Sequence, residues 1–323
     1  MRKTYITRPA KLLSAALLGA VLSINAVAFM QARTMTHFSA SGERTVRAEQ
    51  LSILDSAAVF ISGVNVPRPR NWITPAALGL SFETHRFSSL SGSTLEAWYV
   101  PSKDERLIVV LFHGYAASKS TVLNAARVFH ELGYGTLLVD FYGSGGSSGD
   151  ETTLGVDEAR DVAAAVSHAR RTWPNRKVVL YGVSMGGAAV LRSIALESVN
   201  ADGIIVEATF DTLLNMSKSR FHAIGLPGSP FAELLLFWGS LQRQFNFFSH
   251  NPVDYARSVT CEALVLHGEQ DAGVPVERAR KIASAIGDTA HFVAYAGVPH
   301  MAIVDAVPAE WTRDVRQFLA RLM

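Results

Sequence analysis

Residues 178–187 read Val-Val-Leu-Tyr-Gly-Val-Ser-Met-Gly-Gly. A continuous apolar run, 178–181, ends at a glycine, and a helical pattern over 185–198 opens directly after Ser184. Gly182-x-Ser184-x-Gly186 at such a strand-to-helix junction has the form of a nucleophile elbow, a turn so sharp that its neighbours must be nearly free of side chains. Gly182, Gly186 and Gly187 meet that demand. The turn lifts the Ser184 hydroxyl out of the sheet, and the helix that follows aims backbone N–H groups at negative charge developing beside it. A second G-x-S-x-G, at 145–149, lies in a Gly- and Ser-rich loop with no helix opening on it, so Ser147 reads as a loop residue. That loop also fails as a dinucleotide fingerprint, because Ser148 stands at the third glycine position.

The same rhythm extends on both sides of the junction. Residues 82–87 and 94–100 alternate like an antiparallel hairpin, with 90–93 as its turn. Runs at 107–112, 136–139, 204–206, 264–266 and 292–295 are short and almost wholly apolar, as strands buried on both faces of a parallel sheet are. Helical stretches at 120–132, 156–171, 276–286 and 309–322 alternate with them. The pattern predicts an α/β fold over 82–323, with a mostly parallel central sheet and helices on both faces. Residues 211–259 interrupt it as an insertion placed to cover the sheet's edge.

A serine hydroxyl needs a base to become a nucleophile, and the base needs an acid to orient it. Asp271 lies just beyond the run 264–266, and His300 just beyond 292–295. Ser184, Asp271, His300 is the chain order of nucleophile, acid and base on α/β-hydrolase sheets. All three fall at the C-terminal ends of parallel strands, where open α/β sheets build their sites. Glu207 and Asp211 end near the same edge and compete with Asp271 for the acid's role, whereas Asp140 precedes the nucleophile and reads as a brace for its own loop. His113 and His267 each precede a glycine at a strand end and read as local hydrogen-bonding residues. Backbone N–H groups of Met185 and of Tyr115, in the loop 113–118, are the candidate oxyanion donors.

These motifs resemble those of the α/β-hydrolase superfamily, nearest its serine-aminopeptidase-like and dienelactone-hydrolase-like branches. The matching pieces are Phe112-His113-Gly114, the segment 140–145, the segment 182–186, His267-Gly268 with Asp271, and His300. The resemblance implies a serine hydrolase with a small helical cover, acting on an ester, thioester or related acyl bond through an acyl-enzyme. It calls for neither metal nor organic cofactor. A serine peptidase with aminopeptidase-like activity, and a non-catalytic envelope binding protein on the same fold, are the alternative readings.

Residues 12–30 hold fifteen apolar side chains in nineteen positions and no charge. That is long enough to span a bilayer, and Arg2, Lys3, Arg8 and Lys11 precede it, so the N-terminus is expected in the cytoplasm and the body across the membrane. Ala26-Val27-Ala28 also fits a signal-peptide cleavage site. Residues 1–33 are therefore read as an anchor or a signal, with the body exported to the cell envelope or secreted, and 34–81 as a linker with a capping helix over 43–60. Five basic residues and no acid in 1–33 leave 25 basic against 28 acidic residues beyond, so the body's charge gives no footing for nucleic acid. The single cysteine, Cys261, excludes an intramolecular disulfide framework. Six aromatics between Phe231 and Phe248 form either an apolar wall for an acyl substrate, including a lipid-like one, or the packing face of the cover.

Overall fold

A computed structural model of the chain describes residues 8–43, 45, 64–89 and 91–323. The helix expected over 43–60 lies almost wholly outside the described residues. Eight strands form one sheet: β1 (Glu83–Ser88), β2 (Thr94–Val100), β3 (Asp104–Phe112), β4 (Tyr134–Val139), β5 (Lys177–Val183), β6 (Gly203–Glu207), β7 (Ala263–Gly268) and β8 (Ala290–Tyr295). Their order is β1-β2-β4-β3-β5-β6-β7-β8. Strands β1, β2 and β4 pair antiparallel, and from β4 to β8 every neighbour is parallel.

The short apolar runs follow from burial on both faces. Ile108, Val110 and Phe112 of β3 point into one core layer, and Leu107, Val109 and Leu111 into the other. The first layer is closed by α3 (Glu158–Thr172), α4 (Met185–Leu196) and α8 (Val276–Ile286), through Val162, Val190 and Ile282. The second is closed by α2 (Leu123–Glu131) and α10 (Pro308–Arg321), through Phe129, Trp311 and Phe318. Strand and helix identities thus agree with the sequence pattern. Helix α2 starts at Leu123 rather than 120 because Lys119–Val122 forms a 3-10 turn.

The insertion contributes α5 (Leu213–Ala223), α6 (Phe231–Arg243) and the short α7 (Pro252–Tyr255). Leu213, Met216, Leu236 and Phe247 pack with Leu154, Phe210 and Val274, so α5 and α6 cover the C-terminal edge of the sheet. At the N-terminus, α1 (Arg8–Thr36) is a single helix of 29 residues. Residues 11–24 are exposed, and the later part of α1 packs on the body, chiefly along α6. The short helix α9 (Ile303–Ala306) leads into α10.

The loop after β4 is braced by a buried cation. Lys119 is fully buried; its Nζ bonds the carboxylates of Asp140 and, at 3.0 Å, Glu96, and lies 4.3 Å from the centre of the Trp98 ring. Asp140 also accepts from the N–H groups of Lys119 (2.7 Å) and Gly146 (2.8 Å) and from Asn71 (2.8 Å). Burial would raise the Asp140 carboxyl, but the Lys119 charge and these donors prevail and hold it below the usual carboxylate range. Ser147 donates to Asp140 O at 2.6 Å and accepts from Glu96 N, which is the loop role its context predicted. Arg68, from the linker, donates to the carbonyls of Gly145, Ser147 and Gly149 and fastens the same loop from outside. Removing one partner of a buried ion pair leaves the other uncompensated. Lys119→Met is therefore expected to lose about 3–5 kcal/mol of stability in chemical denaturation, and adding Asp140→Asn to recover part of that loss.

Candidate active site

Ser184 stands between β5 and α4 with φ 52° and ψ −112°, a conformation that L-residues rarely adopt. Two glycines make the turn sterically possible. A Cβ on Gly182 would come within 2.6 Å of the Gly186 backbone, and one on Gly186 within 2.6 Å of Phe112 O. The Ser184 N–H donates to Glu207 O at 2.7 Å, which ties the turn to the neighbouring strand. Met185 is the first residue of α4, where a backbone N–H has no acceptor within the helix.

Asp271 and His300 are brought together. His300 Nδ1 lies 2.6 Å from Asp271 Oδ2, and Asp271 Oδ1 accepts the Val274 N–H at 2.7 Å. The acid side chain is 1% exposed and the imidazole 44%, so the pair is buried at one end and open at the other. A carboxylate can only accept here, so Nδ1 carries the proton and Nε2 presents its lone pair. Among the described residues no hydrogen bond joins Ser184 Oγ to His300. Such contacts are often long before substrate binds.

The competing acids have other work. Asp211 accepts from Thr212 N and from the Asn215 side chain, at the start of α5. Glu207 is fully buried and collects three donors: Ile303 N at 2.8 Å, Trp311 Nε1 at 3.0 Å and Tyr181 Oη at 3.0 Å. Burial pushes its carboxyl up, and the three donors pull against that. Glu207 therefore joins two parts of the site: its carbonyl holds Ser184, and its carboxylate holds the segment that follows His300. Its position at the end of β6 marked it in the sequence, but only the fold reveals this bracing.

The other histidines are occupied locally. His113 donates through Nδ1 to Gly114 O (2.8 Å) and accepts the Phe141 N–H through Nε2 (3.2 Å); burial lowers its pKa, which keeps it neutral. His267 donates through Nε2 to Val274 O at 2.6 Å and is likewise kept neutral by burial. His250 is fully buried beneath the cover. Burial, with the Arg192 charge, brings its pKa to about 3, and it bonds Leu154 O at 3.1 Å. The Cys261 thiol is pushed up to about 11 by burial, which suits packing and not nucleophilic chemistry. Among the described residues no group of three His, Cys, Asp or Glu side chains could hold a metal.

The Tyr115 side chain is tied down from an unforeseen direction. Its hydroxyl donates to Met35 O of α1 at 2.9 Å, its ring lies 6.4 Å from Phe38, and the Arg220 guanidinium stands 5.5 Å from its centre. The end of α1 thus holds the loop that carries the second candidate oxyanion donor. The six cover aromatics divide: Phe247 is buried in the cover core, whereas Phe237 and Phe248 are exposed. The cavity at the joint of α1 and the cover, lined by Ala32, Met35, Leu213, Leu236 and Phe247, holds about 20 Å³, room for one water. Packing accounts for that part of the insertion.

Residues 103–254 match a family model described as serine aminopeptidase, S33. The esterase Pf2001 of Pyrococcus furiosus superposes with a TM-score of 0.64 at 22% identity, over 80% of this chain and 99% of the other, which fixes the fold. These matches support an α/β-hydrolase superfamily member. Among the similar proteins is protein Rv2307c of Mycobacterium tuberculosis, 27% identical over 71% of this chain and 74% of the relative. Another is the α/β-hydrolase domain-containing protein WAV2 of Arabidopsis thaliana, 28% identical over 63% of this chain and 66% of the relative. Together with the family match they support hydrolase chemistry.

Glu207→Gln would turn an amide donor toward groups that themselves donate. It is expected to cost about 1–3 kcal/mol of stability and to lower kcat with little change in KM, because the His300 segment loses its hold. Gly186→Ala, which must push α4 off β3, is expected to abolish activity and lower the melting temperature.

Proposed function

We propose that the protein is a serine hydrolase that cleaves an ester, thioester or related acyl bond through an acyl-enzyme. The observation that carries this reading is the positive-φ Ser184 turn at the edge of a sheet that also presents a bonded Asp271–His300 pair. In this mechanism His300 Nε2 takes the Ser184 proton as Oγ attacks the acyl carbon. Asp271 holds the ring in the Nδ1–H tautomer and stabilises the imidazolium. The N–H groups of Met185 and Tyr115 receive the oxyanion, a role in which one donor is worth about 3–4 kcal/mol. His300 then protonates the leaving group, and water, activated by the same ring, releases the acyl group.

The N-terminal helix is proposed as a retained anchor that places this domain on the exported side of a membrane. A signal cleaved after Ala28 would cut α1 between Asn25 and Phe29, and both of these are docked on the cover. Intact mass of the protein purified from membranes is expected to include residues 12–28; a mature chain starting near Phe29 would refute the anchor.

Nitrophenyl esters and matched aminoacyl anilides test the chemistry. A burst of nitrophenol equal to the enzyme concentration is expected with the esters, and Ser184→Ala and His300→Ala are each expected to lose at least about 10³-fold in kcat. An anilide rate above the ester rate would favour the peptidase reading. Undiminished turnover by Ser184→Ala, or none by the wild type on either series, would refute the proposal.

A further inference from the structure

Helix α1 is apolar enough to cross a bilayer, with mean hydropathy 2.1 in its most apolar stretch. Its length raises a geometric problem. From Leu12 to Ile24 every residue is exposed, and those thirteen residues rise about 20 Å. A hydrocarbon core is about 30 Å thick. The missing ~10 Å must come from residues 25–30, which is where α6 lies alongside α1.

The contact at that level is specific. Asn25 is the one amide among the apolar and small residues of 12–30; its Oδ1 accepts from Trp238 Nε1 at 3.2 Å, and its own amide donates to Val21 O at 2.9 Å. A polar side chain at that depth needs such a partner. Gln242 donates to Phe29 O at 2.8 Å, and the Phe29 and Trp238 rings meet edge-on at 5.5 Å. Trp238 in turn meets Phe237 at 5.2 Å. Phe237 is 52% exposed and Leu241, one turn further along α6, is 62% exposed. Phe29 and Met30, at 41% and 42%, continue that surface onto α1. One apolar surface therefore runs without a break from the spanning helix onto the cover.

We propose that α6 is a second membrane-contact element, whose Phe237 and Leu241 face seats in the interfacial layer of the bilayer that α1 spans. The inference rests on α1 being retained as an anchor. The overlap of six residues sets the depth at about 9 Å, within the 5–10 Å typical of helices lying in a membrane surface. Trp238 then occupies the aromatic belt of the bilayer. The cover over the candidate site faces lipid, so an acyl substrate dissolved in the membrane reaches it without crossing water.

The test uses the full-length chain in phosphatidylcholine vesicles, with Cys261→Ala as background and single cysteines at Leu241, Phe237 and, as an aqueous control, Arg313. Each cysteine carries an environment-sensitive fluorophore. The labels at 241 and 237 are expected to shift to the blue, and to be quenched several-fold more by lipids with a nitroxide near the headgroup than by iodide. The label at 313 is expected to be quenched by iodide alone. Labels at 241 and 237 that behave like the one at 313 would overturn the proposal, as would labels screened from both quenchers, which would mean that protein covers the face. Intact mass on the same sample separates these outcomes from loss of α1, which would remove the anchor and the proposal with it, yet leave the hydrolase reading untouched.

Discussion

The backbone of Ser184 is held at a positive φ, and much of the molecule is arranged around keeping it there. The conformation costs about 1–3 kcal/mol that a flexible chain would recover by relaxing. It persists because its neighbours leave no alternative. Gly182 and Gly186 bring α4 against β5 and β3 at a distance no side chain would allow, and Glu207 O takes the Ser184 N–H from the next strand. Six parallel strands, apolar on both faces, make that frame rigid. The reward for the strain is a hydroxyl at the mouth of the sheet, beside a helix N-terminus.

Around that turn the buried polar groups form linked braces. Glu207 couples the serine turn to the segment following His300, through Ile303 N and Trp311 Nε1. Lys119, Asp140 and Glu96 hold the glycine-rich loop between β4 and α3, and Arg68 clamps it from the linker side. Met35 O takes the Tyr115 hydroxyl, so α1 reaches the loop of the second candidate oxyanion donor. Helix α1, cover and candidate site are thus mechanically continuous. In that arrangement the position of α1 bears on the geometry of the candidate site.

The fold was legible in the sequence because strands buried on both faces leave short apolar runs, and a glycine-flanked serine between strand and helix has few structural meanings. The positions of Asp271 and His300 followed from chain order and from the rule that sites gather at strand C-termini; the structure adds their hydrogen bond. Other features were not legible. Lys119 reads as a surface lysine until Asp140 and Glu96 are seen to enclose it. Glu207 could be noticed as an acid at the right edge, but its bracing depends on Trp311 and Ile303, about a hundred positions away. The aromatics of 231–248 were ambiguous, since packing and acyl binding ask for the same side chains. The docking of Trp238 on Asn25, 213 positions apart, had no signal in the sequence.

Covalent trapping reads the nucleophile most directly. A fluorophosphonate traps only a serine that is deprotonated and backed by oxyanion donors as it reacts, so it reads the geometry of the turn without requiring the natural substrate. Treatment of the full-length protein, followed by proteolysis and mass mapping, should give one adduct, on the peptide carrying Ser184. An unmodified chain under conditions that label other serine hydrolases, or an adduct on Ser147 or elsewhere, would show that the Ser184 turn does not carry the nucleophile.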